Sequence, residues 1–353
     1  MSNLLPARLR VVVASPLSEE HCRLIEAAEP RIDLVRDQAL LPPMRHVADF
    51  SGDPAFRRTG EEQARFDALV DTADALYGIP DVNPAALKRT VGANPKLRWV
   101  QTMAAGGGGQ VAAAGLSEQE LRRVVFTTSA GVHGGTLAEW AVLGIFAGAK
   151  SLPRLLAQQR EHHWSGRWAM GQVSEQTVLV VGLGGIGQAV AAKLSALGAT
   201  VIGTSRRGIE VAGVSEVILP DRIMEVAGRI DAVVATLPGT AATEGLLGKD
   251  FFAAIKTGVT VVNVGRGTVI NEDALLAALR DGRVGFAALD VFATEPLDPA
   301  SPLWDQPNVL ISPHTAALSN AEDRLIAELF TENATRFLGG HEMINRVDTV
   351  EFY

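Results

Sequence analysis

A chain of 353 residues is long enough for two domains, each with a sizeable core of its own. Hydrophobic residues make up 47% and charged residues 20%, an ordinary globular balance, and a formal charge of −8 argues against a dedicated nucleic-acid or anionic-membrane binder. The single cysteine, Cys22, excludes an internal disulfide and points to a reducing, cytoplasmic setting, where it reads as a small buried hydrophobe.

The opening MSNLLPARLRVVVASP has a short apolar run and no small-residue cleavage site, so 9–14 reads as a first strand rather than part of a signal peptide. SEEHCRLIEAAE follows as a helix with Ser18 placed to cap it. Residues 40–60 hold three prolines and two glycines and read mainly as an irregular excursion. A helix over 61–72, the strand ALYGI, a helix from Asn83 and the strand LRWVQTM then suggest a small parallel α/β domain. It ends in AAGGGGQVAAAG, whose glycines Gly106–Gly109 suit either close approach of backbone N–H groups to a ligand or a flexible surface loop.

LAEWAVLGIFAGAK is apolar nearly all round, which predicts a helix buried on several sides, between domains or against a second subunit. Its 13-residue apolar run contains Glu139 and is too short to span a bilayer. His162, His163, Trp164 and Trp168 lie in a loop-like stretch; the paired histidines lack partners at metal spacing, so a surface or interface role is expected and no metal site. From Thr177 a second alternation begins. Its strands TVLVVGL, ATVIGTS, SEVIL, DAVVATL, VTVVNVG, FAALDV and NVLISP include several continuous apolar runs, as in a six- or seven-stranded doubly wound parallel sheet. SNAEDRLIAELFTENATRFLGG is one more amphipathic helix.

Gly182, Gly184 and Gly187 in VVGLGGIGQAV have G-x-G-x-x-G spacing, follow a strand and open a helix through Gly185 and Ile186. That context fits a dinucleotide pyrophosphate: one glycine for the turn, one for close phosphate approach, one for helix–strand packing. The next strand should end in an acid for the adenosine ribose, but Ser205, Arg206 and Arg207 stand there. A carboxylate would repel a 2′-phosphate and guanidinium groups would grip one, so the pair predicts NADP; two solvated loop arginines are the alternative.

Three more residues follow strands. Arg266, flanked by glycines, suits an anionic partner such as a substrate carboxylate, or else a structural salt bridge. Glu295 and His314 follow the last two strands, and a carboxylate beside an imidazole would fix its tautomer and favour its charged form. Such an imidazolium gives a proton to a ketone oxygen while a reduced nicotinamide gives hydride.

Nearly the whole chain resembles the D-2-hydroxyacid dehydrogenase family, through LRWVQTMAAGGGG, TTSAGVHGGTLAEWAVLGIFA, VLVVGLGGIGQAVAAKLSALGATVIG, TLPGTAATEGLL, VVNVGRGTVINEDALLAALRDGRVGFAALDVFATEPL and NVLISPHTA. The resemblance implies a Rossmann domain over 127–319, inserted into a smaller flavodoxin-like substrate domain of 1–126 and 320–353, with the site in the cleft. It implies that Arg266 holds the substrate carboxylate, that His314 is the acid/base oriented by Glu295, and that Ala104, Ala105 and Gly106 offer N–H groups to the same carboxylate. Asp290 would bind the nicotinamide carboxamide, and Leu237, Pro238, Val264 and Gly265 would line the coenzyme. Dimers through the cofactor domain are common in the family and would cover the apolar helix. The missing acid fits the NADP-using branch, with glyoxylate, hydroxypyruvate or a larger 2-keto acid as substrate and NAD(H) as a possible second coenzyme. Other readings keep the fold: a dinucleotide-sensing corepressor, a phosphite dehydrogenase, or a formate dehydrogenase, which would pair its histidine with glutamine rather than Glu295.

Overall fold

The computed structural model describes residues 8–208, 210–350 and 352. They form two compact units, Met1–Val132 with Leu318–Tyr353, and His133–Ala317. The division between them falls at 132/133 and 317/318. Residues 128 and 129 stay with the first unit because Thr128 N donates to Asn345 O and Ser129 N to Ala104 O.

The first unit is a five-stranded parallel sheet of β1 (Leu9–Val13), β2 (Ile32–Val35), β3 (Ala75–Tyr77), β4 (Trp99–Gln101) and β5 (Val125–Thr127). Its order, β2-β1-β3-β4-β5, is the flavodoxin order. Both edge strands escaped the sequence reading. β2 is only IDLV, alternately buried and half-buried, and β5 is three residues long. Local signals start the helices. Ser18 Oγ accepts from His21 N ahead of Glu19–Ala28, Thr59 and Glu62 form a capping box on Gly60–Val70, and Asn83 Oδ1 accepts from Ala85 N ahead of Pro84–Ala93. The late helix Glu322–Leu338 joins this unit by stacking Phe330 on Trp99 (ring centroids 4.6 Å apart) and against the edge of Tyr77 (5.1 Å). Cys22 is buried, and burial pushes its thiol up to about 11, which makes it a packing residue. Residues 41–59 hold no helix or strand; Leu41, Met44 and Phe56 help line a cavity of about 540 Å³ together with Leu17.

The second unit is a seven-stranded parallel sheet of β6 (Thr177–Val181), β7 (Thr200–Thr204), β8 (Glu216–Ile218), β9 (Ala232–Ala235), β10 (Val259–Asn263), β11 (Val284–Leu289) and β12 (Val309–Ile311). The order β12-β11-β10-β9-β6-β7-β8 reverses direction between β6 and β9, the doubly wound switch point where ligands bind. Helix Gly134–Ala149 lies on this sheet so closely that a Cβ on Gly144 would come 2.8 Å from Val262, and one on Gly148 would come 2.0 Å from Thr260 Oγ1. Its other side carries Leu143, 49% exposed, beside half-buried Trp140, Val142 and Phe146. Small residues thus pack the helix on its own sheet and leave one apolar side open. His162, His163 and Trp164 are exposed, and Trp168 is half-buried under the Arg154 guanidinium. Among the described residues no helix is long and apolar enough to cross a membrane.

Candidate active site

Parallel strands bring their C-terminal ends to one edge, so the loops after β6, β7, β9, β10, β11 and β12 lie together there. After β6, Gly182 takes φ +107, a conformation that favours glycine, and a Cβ on Gly187 would sit 1.9 Å from Gly182 O. Gly184 precedes helix Gly185–Ala196 and has open space where a side chain would stand. Gly184 and Gly185 are exposed and Ile186 is half-buried, so the helix N-terminus faces outward with its unpaired N–H groups. Two hydroxyls missed in the sequence hold the turn: Thr204 Oγ1 accepts from Gly182 N at 2.8 Å, and Thr236 Oγ1 donates to Gly182 O at 2.6 Å. A threonine closing an apolar strand was the available signal.

At the end of β7, Ser205 N continues the ladder to Ile218 O and Ser205 Oγ accepts from Arg207 N at 3.2 Å. Arg206 and Arg207 are exposed, and neither guanidinium has an ion-pair or hydrogen-bond partner among the described residues. Across the switch point Leu237 is half-buried and Pro238 exposed, while Val264 and Gly265 are buried. The glycines flanking Arg266 do not open space for a ligand. A Cβ on Gly265 would meet Leu237 O at 2.6 Å and one on Gly267 would meet the Phe292 carbonyl carbon at 1.8 Å, so the neighbouring loops already fill that room.

Arg266 is exposed and has no carboxylate partner among the described residues; its Nη1 donates to Gly265 O at 2.8 Å. The salt-bridge alternative is therefore absent. Glu295 Oε2 lies 2.7 Å from His314 Nδ1, and Glu295 Oε1 accepts from Phe292 N at 3.0 Å. Burial pushes the Glu295 carboxyl upward, but hydrogen bonds from His314 and Phe292 N and the nearby Arg266 charge leave it below its ordinary value. His314 has φ +54, an uncommon backbone state for a residue with a side chain. The loop is held there by Asp290, whose Oδ1 accepts from Ser312 Oγ (2.7 Å), Thr315 N (3.0 Å) and Ala316 N (3.0 Å). His314 N in turn donates to Asp290 O at 2.9 Å. Asp290 is thus a staple for the histidine loop, a role invisible in the sequence, and Oδ2 has no partner among the described residues.

In the first unit, Ala104, Ala105 and Gly106 form an exposed turn after β4, and helix Gly108–Ala113 starts inside the glycine run. No N–H of these three residues finds an acceptor among the described residues. Such free amides suit an anion.

Residues 142–316 match the family described as D-isomer specific 2-hydroxyacid dehydrogenase, NAD binding domain. A mouse glyoxylate reductase/hydroxypyruvate reductase is 30% identical over 347 residues, 96% of this chain and 98% of that protein. A D-isomer specific 2-hydroxyacid dehydrogenase from Xanthobacter autotrophicus Py2, solved with NADPH and MES, is 28% identical with TM-score 0.75 over 98% of this chain and 100% of that one. An NADPH-dependent glyoxylate/hydroxypyruvate reductase from Sinorhizobium meliloti, solved with NADP and sulfate, is 26% identical with TM-score 0.73 over the same shares. The D-3-phosphoglycerate dehydrogenase of Mycobacterium tuberculosis is longer, and the chain spans 38% of its length. Two parallel α/β units, a glycine turn at the switch point and these matches together place the chain in the D-isomer specific 2-hydroxyacid dehydrogenase family, as an oxidoreductase that uses a nicotinamide coenzyme.

Proposed function

We propose that the chain reduces small 2-keto acids with NADPH and oxidises the D-2-hydroxy acids in reverse, with glyoxylate and hydroxypyruvate as the first substrates to test. The observation that carries this reading is the Glu295–His314 contact of 2.7 Å, with Arg266 close enough for its charge to act on Glu295 and in no salt bridge among the described residues. Gly182, Gly184, Gly185, Ile186 and Gly187 would hold the pyrophosphate at the helix N-terminus, and Leu237, Pro238, Val264 and Gly265 would line the coenzyme. Asp290 Oδ2, without a partner among the described residues, would accept from the carboxamide N–H. When bound, the coenzyme supplies the hydride.

The protein side of the chemistry follows from the contacts. Arg266 binds the substrate carboxylate, and the N–H groups of Ala104, Ala105 and Gly106 add hydrogen bonds to it. Glu295 occupies His314 Nδ1, leaving Nε2 as the ring nitrogen that gives its proton to the ketone oxygen. Reduction then needs a proton on His314 Nε2 and an ionised Glu295, so activity is expected to fade as pH falls through the lowered carboxyl value of Glu295. Glu295→Gln removes the carboxylate that pairs with His314 Nδ1 and replaces it with a group that does not titrate. The acid limb of the pH profile for keto-acid reduction is expected to disappear, and an unmoved acid limb contradicts the pairing.

NADP preference rests on Ser205, Arg206 and Arg207, where a ribose-binding acid is missing and two guanidinium groups have no partner among the described residues. The double variant Arg206→Ala, Arg207→Ala is expected to weaken NADPH about 10- to 100-fold, with NADH changed less than about twofold. Fluorescence titration with both coenzymes checks this; equal losses mean that the pair serves only the loop. We also propose a cytoplasmic homodimer that buries the open side of helix Gly134–Ala149 around Leu143. Sedimentation velocity giving only monomer speaks against the dimer.

A further inference from the structure

The first unit contains a buried polar network that the chemistry above leaves unused. Gln101, Thr102, Thr127, Ser129 and Asn333 are each 0% exposed, and four of them cluster at the C-terminal ends of β4 and β5. Gln101 Oε1 accepts from Thr127 Oγ1 at 2.7 Å and from Asn333 Nδ2 at 3.4 Å. Its Nε2 donates to Ser129 Oγ at 3.2 Å and to Thr102 O at 3.4 Å, and Ser129 Oγ donates to Thr102 O at 3.0 Å. Trp99 Nε1 adds a donor to Thr127 Oγ1 at 2.8 Å. Burying this many polar groups is costly unless all are paired, and once paired they fix one arrangement.

What they fix is a single peptide plane. Ala104 O accepts from Thr102 Oγ1 at 3.3 Å, Gly107 N at 3.2 Å and Ser129 N at 3.4 Å. Among the described residues the one cis peptide is Glu295–Pro296, so the bond after Ala104 is trans. In a planar trans peptide the N–H points opposite to the carbonyl. With the Ala104 carbonyl held inward, the N–H of Ala105 points outward, in a turn whose flanks Met103 and Gly107 are buried. A Cβ on Gly107 would lie 1.8 Å from Thr102 Oγ1, so glycine at 107 is what lets that hydroxyl sit beneath the turn.

We infer that Thr102 and Ser129, coupled through Gln101, are positioning residues for the substrate: they lock the Ala104 carbonyl inward and thereby aim the Ala105 N–H at the substrate carboxylate. The inference rests on the reading of Ala104–Gly106 as a carboxylate-binding loop. Thr102→Val keeps the shape and removes the hydroxyl that bonds Ala104 O, Thr102→Ser restores it, and Ser129→Ala keeps the backbone N–H that meets Ala104 O while removing the hydroxyl that ties residue 129 to Thr102 O and Gln101.

The probe is oxamate, an unreactive 2-keto acid mimic, titrated into the full-length protein with NADPH while the Ala105 amide is followed by NMR in ¹⁵N-alanine-labelled material. In the wild type the Ala105 resonance is expected to shift on saturation. Thr102→Val and Ser129→Ala are expected to bind oxamate about three- to tenfold more weakly, with KM for the keto acid raised by the same factor. NADPH affinity and kcat stay unchanged, and Thr102→Ser behaves as wild type. Wild-type oxamate affinity in both hydroxyl-deleted variants overturns the positioning role and leaves the carboxylate loop standing. An Ala105 resonance indifferent to oxamate in the wild type overturns the loop reading and the inference together. A wild type that shifts Ala105 yet reduces no 2-keto acid contradicts the proposed activity alone and supports positioning of a carboxylate ligand.

Discussion

His314→Asn is expected to lower kcat for 2-keto acid reduction by about 10²- to 10⁴-fold, the usual worth of a positioned general acid. Asparagine is chosen for a structural reason. The residue at 314 has φ +54, and asparagine tolerates the left-handed region better than most residues with side chains. The bonds that hold the loop, from Ser312 Oγ, Thr315 N and Ala316 N to Asp290 Oδ1, do not involve the imidazole. The variant should therefore fold and bind NADPH as the wild type does, and lose only the proton donor. Steady-state kinetics with a coenzyme titration on the same preparation decide the matter. A kcat within about twofold of wild type removes His314 from the chemistry.

Arg266→Ala carries the second large effect, a rise in KM of about 10²- to 10³-fold. A guanidinium facing a carboxylate makes two charge-assisted hydrogen bonds, each worth about 1.5–3 kcal/mol. Losing about 3–4 kcal/mol of binding corresponds to that factor at about 1.4 kcal/mol per decade. The fold should not suffer, because among the described residues the side chain makes one hydrogen bond, to Gly265 O at 2.8 Å, and no salt bridge. Arg266→Lys should fall between, since an ammonium keeps the charge and loses the two-pronged geometry. An unchanged KM in Arg266→Ala, with fold verified by circular dichroism, contradicts the clamp.

Much of the second unit was legible in the sequence because its strands are buried on both faces and so read as apolar, β-branched runs. TVLVV and VTVVN are examples, and β6 and β10 occupy those residues. The glycine turn was legible for a related reason: only that spacing after a strand lets a helix start with Gly187 against Gly182 O. In the first unit the edge strands β2 and β5 were not legible: β2 is four residues long and carries Asp33, and β5 is three residues just after helix residues Glu118–Arg123, with Val347 N and the Thr127–Arg346 bridge on its far side.

Around the site, residue types could be read and geometry could not. Arg266, Glu295 and His314 each follow a strand, which a linear pattern can reveal. That Asp290 spends Oδ1 on three donors from 312–316 depends on how the last loop folds back, and a lone aspartate at a strand end carries no sign of it. The glycines beside Arg266 illustrate the same limit. Sequence can say that no Cβ is allowed there, but the Leu237 and Phe292 backbones rather than a ligand are the reason.

The central claim is that a protonated imidazole supported by Glu295 and a guanidinium at 266 convert a 2-keto acid with the phosphorylated coenzyme. The most direct measurement is NADPH consumption at 340 nm on adding glyoxylate or hydroxypyruvate to the purified protein, run beside NADH. The account expects keto-acid-dependent oxidation of NADPH, with a higher kcat/KM than for NADH. No oxidation of either coenzyme by any member of a 2-keto acid panel would contradict it.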